Sequence, residues 1–344
     1  MASDIKELVA TARELVTPTK GILAADESTG TIGRRLDSIG TENTEHNRRD
    51  YREMLFRSEG ASQCISGVIL YDETLRQAAA DETPMVRVLT DQGIIPGIKV
   101  DTGAKPLAGA DGELITEGLD GLRERLHEYR ELGARFAKWR AVITIGPSIP
   151  SSYCISANAH ALARYAALSQ EAGLVPIVEP EILMDGSHSI DQCEEATDAT
   201  LRTVFNELAA QRVALDGILL KPNMVVSGSD AKDRAEADEV AERTVRVFQD
   251  TVPASVPGIV FLSGGQSDDD ATVNLQAISV RGHAVNAPWE LSYSYGRGLQ
   301  AAPLKAWGGK PANVEAAQRT FLQRAKLTSA ARQGKYSADM EKNF

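Results

Sequence analysis

Eight apolar runs punctuate this chain, and most of them end in a charged or phosphate-seeking residue. In order they are GILAAD (21–26), GVILYDE (67–73), GIKVD (97–101), FAKWR (136–140), PIVEPE (176–181), GILLKPN (217–223), GIVFLSGG (258–265) and LSYSYGR (291–297). A short continuous apolar run bounded by turn residues predicts a strand buried on both faces. Between the runs the spacing becomes helical. EGLDGLRERLHEYRELG (117–133) places Leu119, Leu122, Leu126 and Tyr129 on one face and stops at glycine. SANAHALARYAALSQEAG (156–173) repeats the design, and further helices are predicted at 191–211, 234–250, 268–279 and 312–332. The opening MASDIKELVATARELV also has helical spacing.

Short buried strands alternating with amphipathic helices require parallel pairing through crossover helices. Eight such units predict an α/β fold of the TIM (β/α)8 barrel type, with additional N- and C-terminal helices. An open doubly wound sheet would call for a GxGxxG turn after the first strand, where this chain reads DESTGTIGRR. No linker or repeat divides the sequence, so residues 1–344 are expected to form a single barrel domain, with 337–344 a short C-terminal tail.

Strand side chains alternate faces, so residues two apart point the same way. Lys99 with Asp101, Lys138 with Arg140, and Glu179 with Glu181 therefore project together from three consecutive strand ends. One such pair reads equally well as an ion pair on a barrel rim. Three of them, flanked by Lys221 and Arg297, point to a site. Lys221 follows Ile218, Leu219 and Leu220, and both burial and nearby cations disfavour an ammonium there. A neutral amine able to attack a carbonyl is expected, the alternative being a lysine that reaches from its strand to a phosphate. Glu179 and Glu181 are like charges on one face, so one of them is expected to hold a proton near neutrality and act as acid/base. Glu181 reads equally as a counterion to Lys138 or Arg140. Asp26 closes the first strand, placed to take a hydroxyl proton, to hold a cation or to cap the next helix. The amides of Gly264 and Gly265, a helix N-terminus and Arg297 predict a phosphate cradle in the loops after strands seven and eight.

Composition narrows the class. No apolar stretch approaches the roughly 18–20 residues that span a bilayer, and the N-terminus lacks a signal-peptide pattern, so a cytoplasmic protein without membrane partners is expected. Three scattered cysteines and five histidines form no CxxC, HxH or HExxH pattern, and no metal is expected. A net charge of −11 argues against nucleic acid. It does not exclude a local anion site, because the remaining surface charge is screened over about 8–10 Å.

The segments GILAADESTGTIGRRL, IGTENTEHNRR, GVILYDETL, GIKVD, PLAG, EGLDGL, FAKWR, ARYA, VPIVEPEIL, LLKPNM, FLSGGQS, SYGR and LKAWGGK follow one another in this order. Over residues 3–336 the chain thereby resembles the class I, Schiff-base fructose-bisphosphate aldolases. The resemblance implies reversible cleavage of fructose 1,6-bisphosphate to dihydroxyacetone phosphate and glyceraldehyde 3-phosphate, without a metal or other cofactor. It also implies a cytoplasmic homotetramer serving glycolysis or gluconeogenesis. By position, Lys221 resembles the Schiff-base lysine, Glu179 the acid/base carboxylate and Asp26 the group managing the C4 hydroxyl proton. Lys138 resembles the lysine that assists carbinolamine and carbanion chemistry, supported by Glu181, Lys99 and Arg140. Ser263, Gly264, Ser294, Gly296 and Arg297 match the site for the phosphate on the ketose's first carbon. Ser28, Thr31, Arg34 and Arg35, with Arg48, fall where the family handles the other phosphate. Thr31 and Arg34 stand where the animal pattern has serine and lysine; both exchanges keep the hydroxyl or the charge. Animal members end in a longer segment whose terminal tyrosine exchanges the enamine proton, whereas this sequence runs from QGKY through SADMEKNF to Phe344. Another group, or water, is therefore expected to protonate the enamine. Another Schiff-base barrel aldolase or a transaldolase acting on a phosphorylated sugar is the alternative enzyme, and a non-catalytic sugar-phosphate sensor the alternative outside catalysis.

Overall fold

In the computed structural model, which describes residues 2–342, the eight apolar runs become eight parallel strands closed into one barrel. The strands are β1 (Gly21–Ala25), β2 (Ile65–Leu70), β3 (Ile95–Lys99), β4 (Phe136–Ile143), β5 (Val175–Ile182), β6 (Leu219–Leu220), β7 (Gly258–Phe261) and β8 (Glu290–Tyr295). Each pairs with its neighbours in this series, and β8 closes on β1 through Ile22 opposite Ser294. The shortest strand is β6, because Pro222 has no N–H to continue the ladder. It still fixes Lys221, whose amide donates to the Val178 carbonyl at 2.8 Å.

The alternation of faces divides the barrel into layers. Ile22, Ile69, Ile95, Phe136, Val175, Ile177, Leu219 and Val260 turn inward and form one buried cluster with Leu8, Ala12, Leu15 and Val16. The N-terminal helix Ala2–Leu15 thus plugs the end at which the strands begin. Two glycines make room for it. A methyl at Gly67 would lie 2.7 Å from Leu15, and one at Gly258 would lie 2.6 Å from Val16. Each large side chain of the plug, fully withdrawn from water, contributes about 1.5–3 kcal/mol of transfer free energy. The alternate strand residues, among them Leu23, Val68, Ile98, Trp139, Val178, Leu220 and Ile259, pack outward in the cluster shared with the helices. With the lower layers filled by hydrocarbon, the inward polar positions fall at the end where the strands finish.

Most helices lie close to their predicted spans: Ser152–Glu171, Ile190–Ala210, Ala237–Thr251, Asp268–Ala284 and Val314–Arg332. The 117–133 segment differs. Leu114–Glu117 instead pairs antiparallel with Gly103–Pro106 in a hairpin, and the helix runs only over Leu122–Glu131. Gly118 at φ +127° and Gly121 at φ +65° cannot continue a right-handed helix backwards, so Leu119 reaches the core from a turn. Of the predicted tail, Ala338–Lys342 forms a 3-10 turn, while Phe344 lies outside the described residues.

Candidate active site

Register brings the charged strand ends together. Lys99 lies opposite Lys138, and Arg140 opposite Glu179, across adjacent strands. Lys221 faces Glu179 from the end of β6, because its amide is held by Val178, the residue just before Glu179. At the centre the signs alternate. Lys138 Nζ is 2.6 Å from Asp26 Oδ2 and 3.3 Å from Glu179 Oε2. Glu179 Oε1 is 3.1 Å from Lys221 Nζ. Lys138, Glu179 and Lys221 are only 4%, 3% and 4% exposed, so these contacts act in a poorly screened setting. A second row supports the first. Lys99 pairs with Asp101 at 2.6 Å, the other Asp101 oxygen accepts from the Arg140 amide at 3.2 Å, and the Arg140 guanidinium is ion-paired with Glu181.

The balance of burial and charge can be read group by group. Burial pushes the Asp26 carboxyl up, but Lys138, Lys221 and Lys99 outweigh it and bring its pKa down to about 2. Burial likewise opposes ionisation of Glu179, and Lys138, Lys221 and Arg140 hold that carboxyl below its ordinary range. For Lys138, burial disfavours the ammonium while Asp26, Glu179 and Asp101 together raise its pKa. These contacts correct the expectation that like charges on one face leave one of the two glutamates holding a proton near neutrality. Glu179 faces two lysines and Glu181 faces Arg140, so each has its own cation.

A cavity of about 1020 Å³ opens over this cluster, with a first side of Ser28, Thr31, Arg34 and Arg35 after β1 and, from the neighbouring strands β7 and β8, a second side of Ser263, Gly264, Gly265, Ser294, Gly296 and Arg297. On the first side Ser28 caps the helix Thr29–Asp37, Arg34 donates to Thr31 Oγ1 at 3.4 Å, and Arg35 is ion-paired with Glu27. On the second, Gly265 sits at φ +81°, where a methyl would come within 2.7 Å of Met184. Gly296 precedes the helix Arg297–Trp307, and the buried Ser294 hydroxyl has no protein partner. Both walls therefore present helix N-termini with guanidinium groups, the chemistry that receives a phosphate. Arg48 is the exception among the residues expected here. It does not line the cavity: its Nε and Nη2 donate to Glu73 at 2.8 Å and 2.5 Å, and Nη1 donates to Asn43. Its expected contact with substrate is thus corrected to a support of the helix Glu45–Phe56 against Glu73.

Two groups of guanidinium and helix N-terminal donors lining one cavity over a buried lysine–carboxylate relay suit a bisphosphorylated carbonyl compound. The family model for glycolytic, class-I fructose-bisphosphate aldolase matches residues 7–344. The chain belongs to the class I fructose-bisphosphate aldolases. It is similar to a probable fructose-bisphosphate aldolase class 1 of Xanthomonas campestris pv. campestris, with 56% identity over 333 residues, 96% of this chain and 99% of the relative. It is 55% identical over 336 residues to the cytosolic fructose-bisphosphate aldolase 4 of Arabidopsis thaliana, covering 97% of this chain and 85% of that one. A solved structure of fructose-bisphosphate aldolase from Plasmodium falciparum, in complex with TRAP and a small molecule inhibitor, aligns with a TM-score of 0.96 at 49% identity, covering 98% of this chain and 97% of that one. The enzyme accordingly performs the reversible aldol cleavage of fructose bisphosphate through a lysine Schiff base. Among the described residues, no helix is long and apolar enough to cross a membrane.

Sequence reasoning missed several residues that this aldolase brings to the site. Tyr71, Arg125, Met184 and Asp185 also line the cavity: Tyr71 ends the second apolar run, Arg125 comes from the helix Leu122–Glu131, and Met184 and Asp185 come from the loop after β5. Asp101 was visible as the partner of Lys99 on one strand face, but its hold on the Arg140 amide needed the register of β3 against β4. At the rim, Arg297→Ala is expected to raise KM for fructose 1,6-bisphosphate about 10- to 100-fold, the loss of a charge-assisted pair. An unchanged KM in steady-state assays would remove Arg297 from the cradle.

Proposed function

We propose that Lys221 is the nucleophile that forms the Schiff base and that Glu179 is the acid/base group serving it. The observation that carries this reading is Glu179 bridging Lys221 and Lys138 through its two oxygens, at 3.1 Å and 3.3 Å. A proton passing from Lys221 Nζ to Glu179 gives at once a free amine and a carboxylic acid beside it. The amine attacks C2 of the open-chain ketose, and Glu179, with Lys138, protonates the departing hydroxyl so that water leaves. The resulting iminium accepts the electron pair of the C3–C4 bond as that bond breaks. Asp26, an ionised carboxylate in the resting site, takes the C4 hydroxyl proton, and glyceraldehyde 3-phosphate departs. Protonation of the enamine at C3 and hydrolysis then release dihydroxyacetone phosphate and restore Lys221.

Lys99, Arg140 and Glu181 support this row. The phosphate on C1 is assigned to Ser263, Gly264, Gly265, Ser294, Gly296 and Arg297, and the other to Ser28, Thr31, Arg34 and Arg35. Holding both ends lets remote binding energy act at the bond being cleaved. Reduction with borohydride in the presence of substrate, followed by peptide mapping, should place the adduct on Lys221; an adduct on another lysine would overturn the assignment. The reading extends to a single barrel domain assembled as a homotetramer, carried over from the family resemblance, and to a cytoplasmic location, supported by the cytosolic naming of relatives such as the Arabidopsis thaliana protein.

Protonation of the enamine is assigned to a group other than the tail. Among the described residues none from 336 to 342 lines the cavity. The Tyr336 hydroxyl donates to Glu341 at 3.2 Å, and Arg324 pairs with Glu341 at 2.8 Å, which ties the segment to the helix Val314–Arg332. Removing residues 337–344 is therefore expected to leave proton exchange into dihydroxyacetone phosphate within about twofold of the parent. Loss of the exchange signal by NMR would return the step to the tail.

A further inference from the structure

Asp26 lies one residue beyond the last rung of its strand. The β1–β2 ladder ends with Ala25 opposite Leu70, and no regular element continues through 26–28. The backbone on both sides of Asp26 is held instead by two buried side chains from distant parts of the chain. Gln300 Nε2, from the helix Arg297–Trp307, donates to the Ala24 carbonyl at 2.6 Å and to Glu27 Oε1 at 2.8 Å. Arg52 Nη2, from the helix Glu45–Phe56, donates to the Glu27 carbonyl at 2.7 Å. Gln300 is itself fixed by the Tyr51 hydroxyl, which donates to its Oε1 at 3.1 Å. Arg52 and Gln300 are 0% and 1% exposed, and neither lines the substrate cavity.

Such an arrangement is costly to bury unless it does something. Arg52 is withdrawn from water for two loose ion pairs, to Glu27 at 3.9 Å and Glu73 at 3.6 Å, and its Nε and Nη1 have no hydrogen-bond partner. An apolar side chain of similar volume would fill the space with less desolvation. What that chain would lose is the directed hydrogen bond to the carbonyl just after Asp26. We propose that Arg52 and Gln300 are positioning residues for carbon–carbon cleavage, clamping the peptide groups on either side of Asp26 so that its carboxylate meets the C4 hydroxyl. The inference rests on the role given to Asp26 above. It adds that the cleavage step is tuned separately from Schiff-base formation, because Lys221 and Glu179 are carried by β5 and β6 and lie outside this clamp.

The separation supplies the test. Dihydroxyacetone phosphate has no C4, so trapping it on Lys221 with borohydride reads amine attack and dehydration alone. Single-turnover cleavage of fructose 1,6-bisphosphate reads Asp26 as well. Arg52→Met and Gln300→Met are expected to slow cleavage about a hundredfold while trapping proceeds at the parental rate, the loss expected of a misplaced but intact group. KM should change by less than about threefold, and Arg52→Lys, which keeps one donor, should recover part of the cleavage rate. Trapping and cleavage falling in parallel would overturn the inference, because a merely structural role moves both. Cleavage within about twofold of the parent in both variants would overturn it too. If Arg52→Met does not fold, Gln300→Met alone decides between these outcomes. Failure of the parent protein to trap dihydroxyacetone phosphate on Lys221 would overturn the underlying reading instead, and would be seen before any variant is made.

Discussion

Lys221→Met is expected to lower fructose 1,6-bisphosphate cleavage by on the order of 10⁴-fold or more and to abolish the borohydride-stable adduct. The side chain is an unbranched stem ending in a 4%-exposed amine, so methionine fills nearly the same volume without the nucleophile. Glu179 keeps Lys138 at 3.3 Å, and the loss in stability should stay within about 1–3 kcal/mol, that of a single charged contact. Folded but inactive is thus the expected state. A Lys221→Met protein that still traps substrate under borohydride, as measured by intact mass, would remove the residue from the covalent step.

Lys138→Met should behave differently, because among the described residues Lys138 is the only cation within 4 Å of Asp26 and one of two near Glu179. Its loss leaves two buried carboxylates sharing Lys221. Breaking a buried pair in this way costs about 3–5 kcal/mol, and activity should fall about 10²–10⁴-fold with the loss of proton control. The pH dependence has a definite sign. Asp26 is lowered from 3.8 to about 2, so its pairing contributes about 2 kcal/mol that is present above pH 3.8 and lost as the pH falls through about 2. Lys138 is raised above its ordinary 10.5, so its share is complete below pH 10.5 and disappears only at higher pH. The stability gap between parent and variant should accordingly be full at pH 7 and narrow on acidification below pH 4. Urea unfolding at a series of pH values measures it, and a gap independent of pH would show that Asp26 is not held by Lys138.

The barrel was legible because its strands are buried on both faces and announce themselves as apolar runs with charges at the tips. Lys221, Glu179 and Lys138 were legible for the same reason: a charge ending a hydrocarbon run needs a use. The hairpin at Gly103–Pro106 and Leu114–Glu117 was not, since it is largely exposed and carries no such run. Arg48 and Arg52 show the limit most clearly. Both sit in EHNRRDYREMLF, where a row of polar residues reads as a solvated helix face. The fold buries both, and only the three-dimensional positions of the half-buried Glu73 and the buried Glu27 reveal that each arginine faces a carboxylate. The pairing of Glu179 and Glu181 failed in a related way. Alternation along β5 put the two on one face, but it could not show that neighbouring strands would bring a separate cation to each.

The brevity of β6 has a mechanical consequence. On its β5 side the ribbon that bears Lys221 is tied to the barrel through Val178, and Val178 is covalently joined to Glu179. Any breathing of the wall that displaces the amine must drag the carboxylate along with it. The 3.1 Å spacing between Lys221 and Glu179 is thereby held by one short stretch of backbone and does not depend on the rest of the wall.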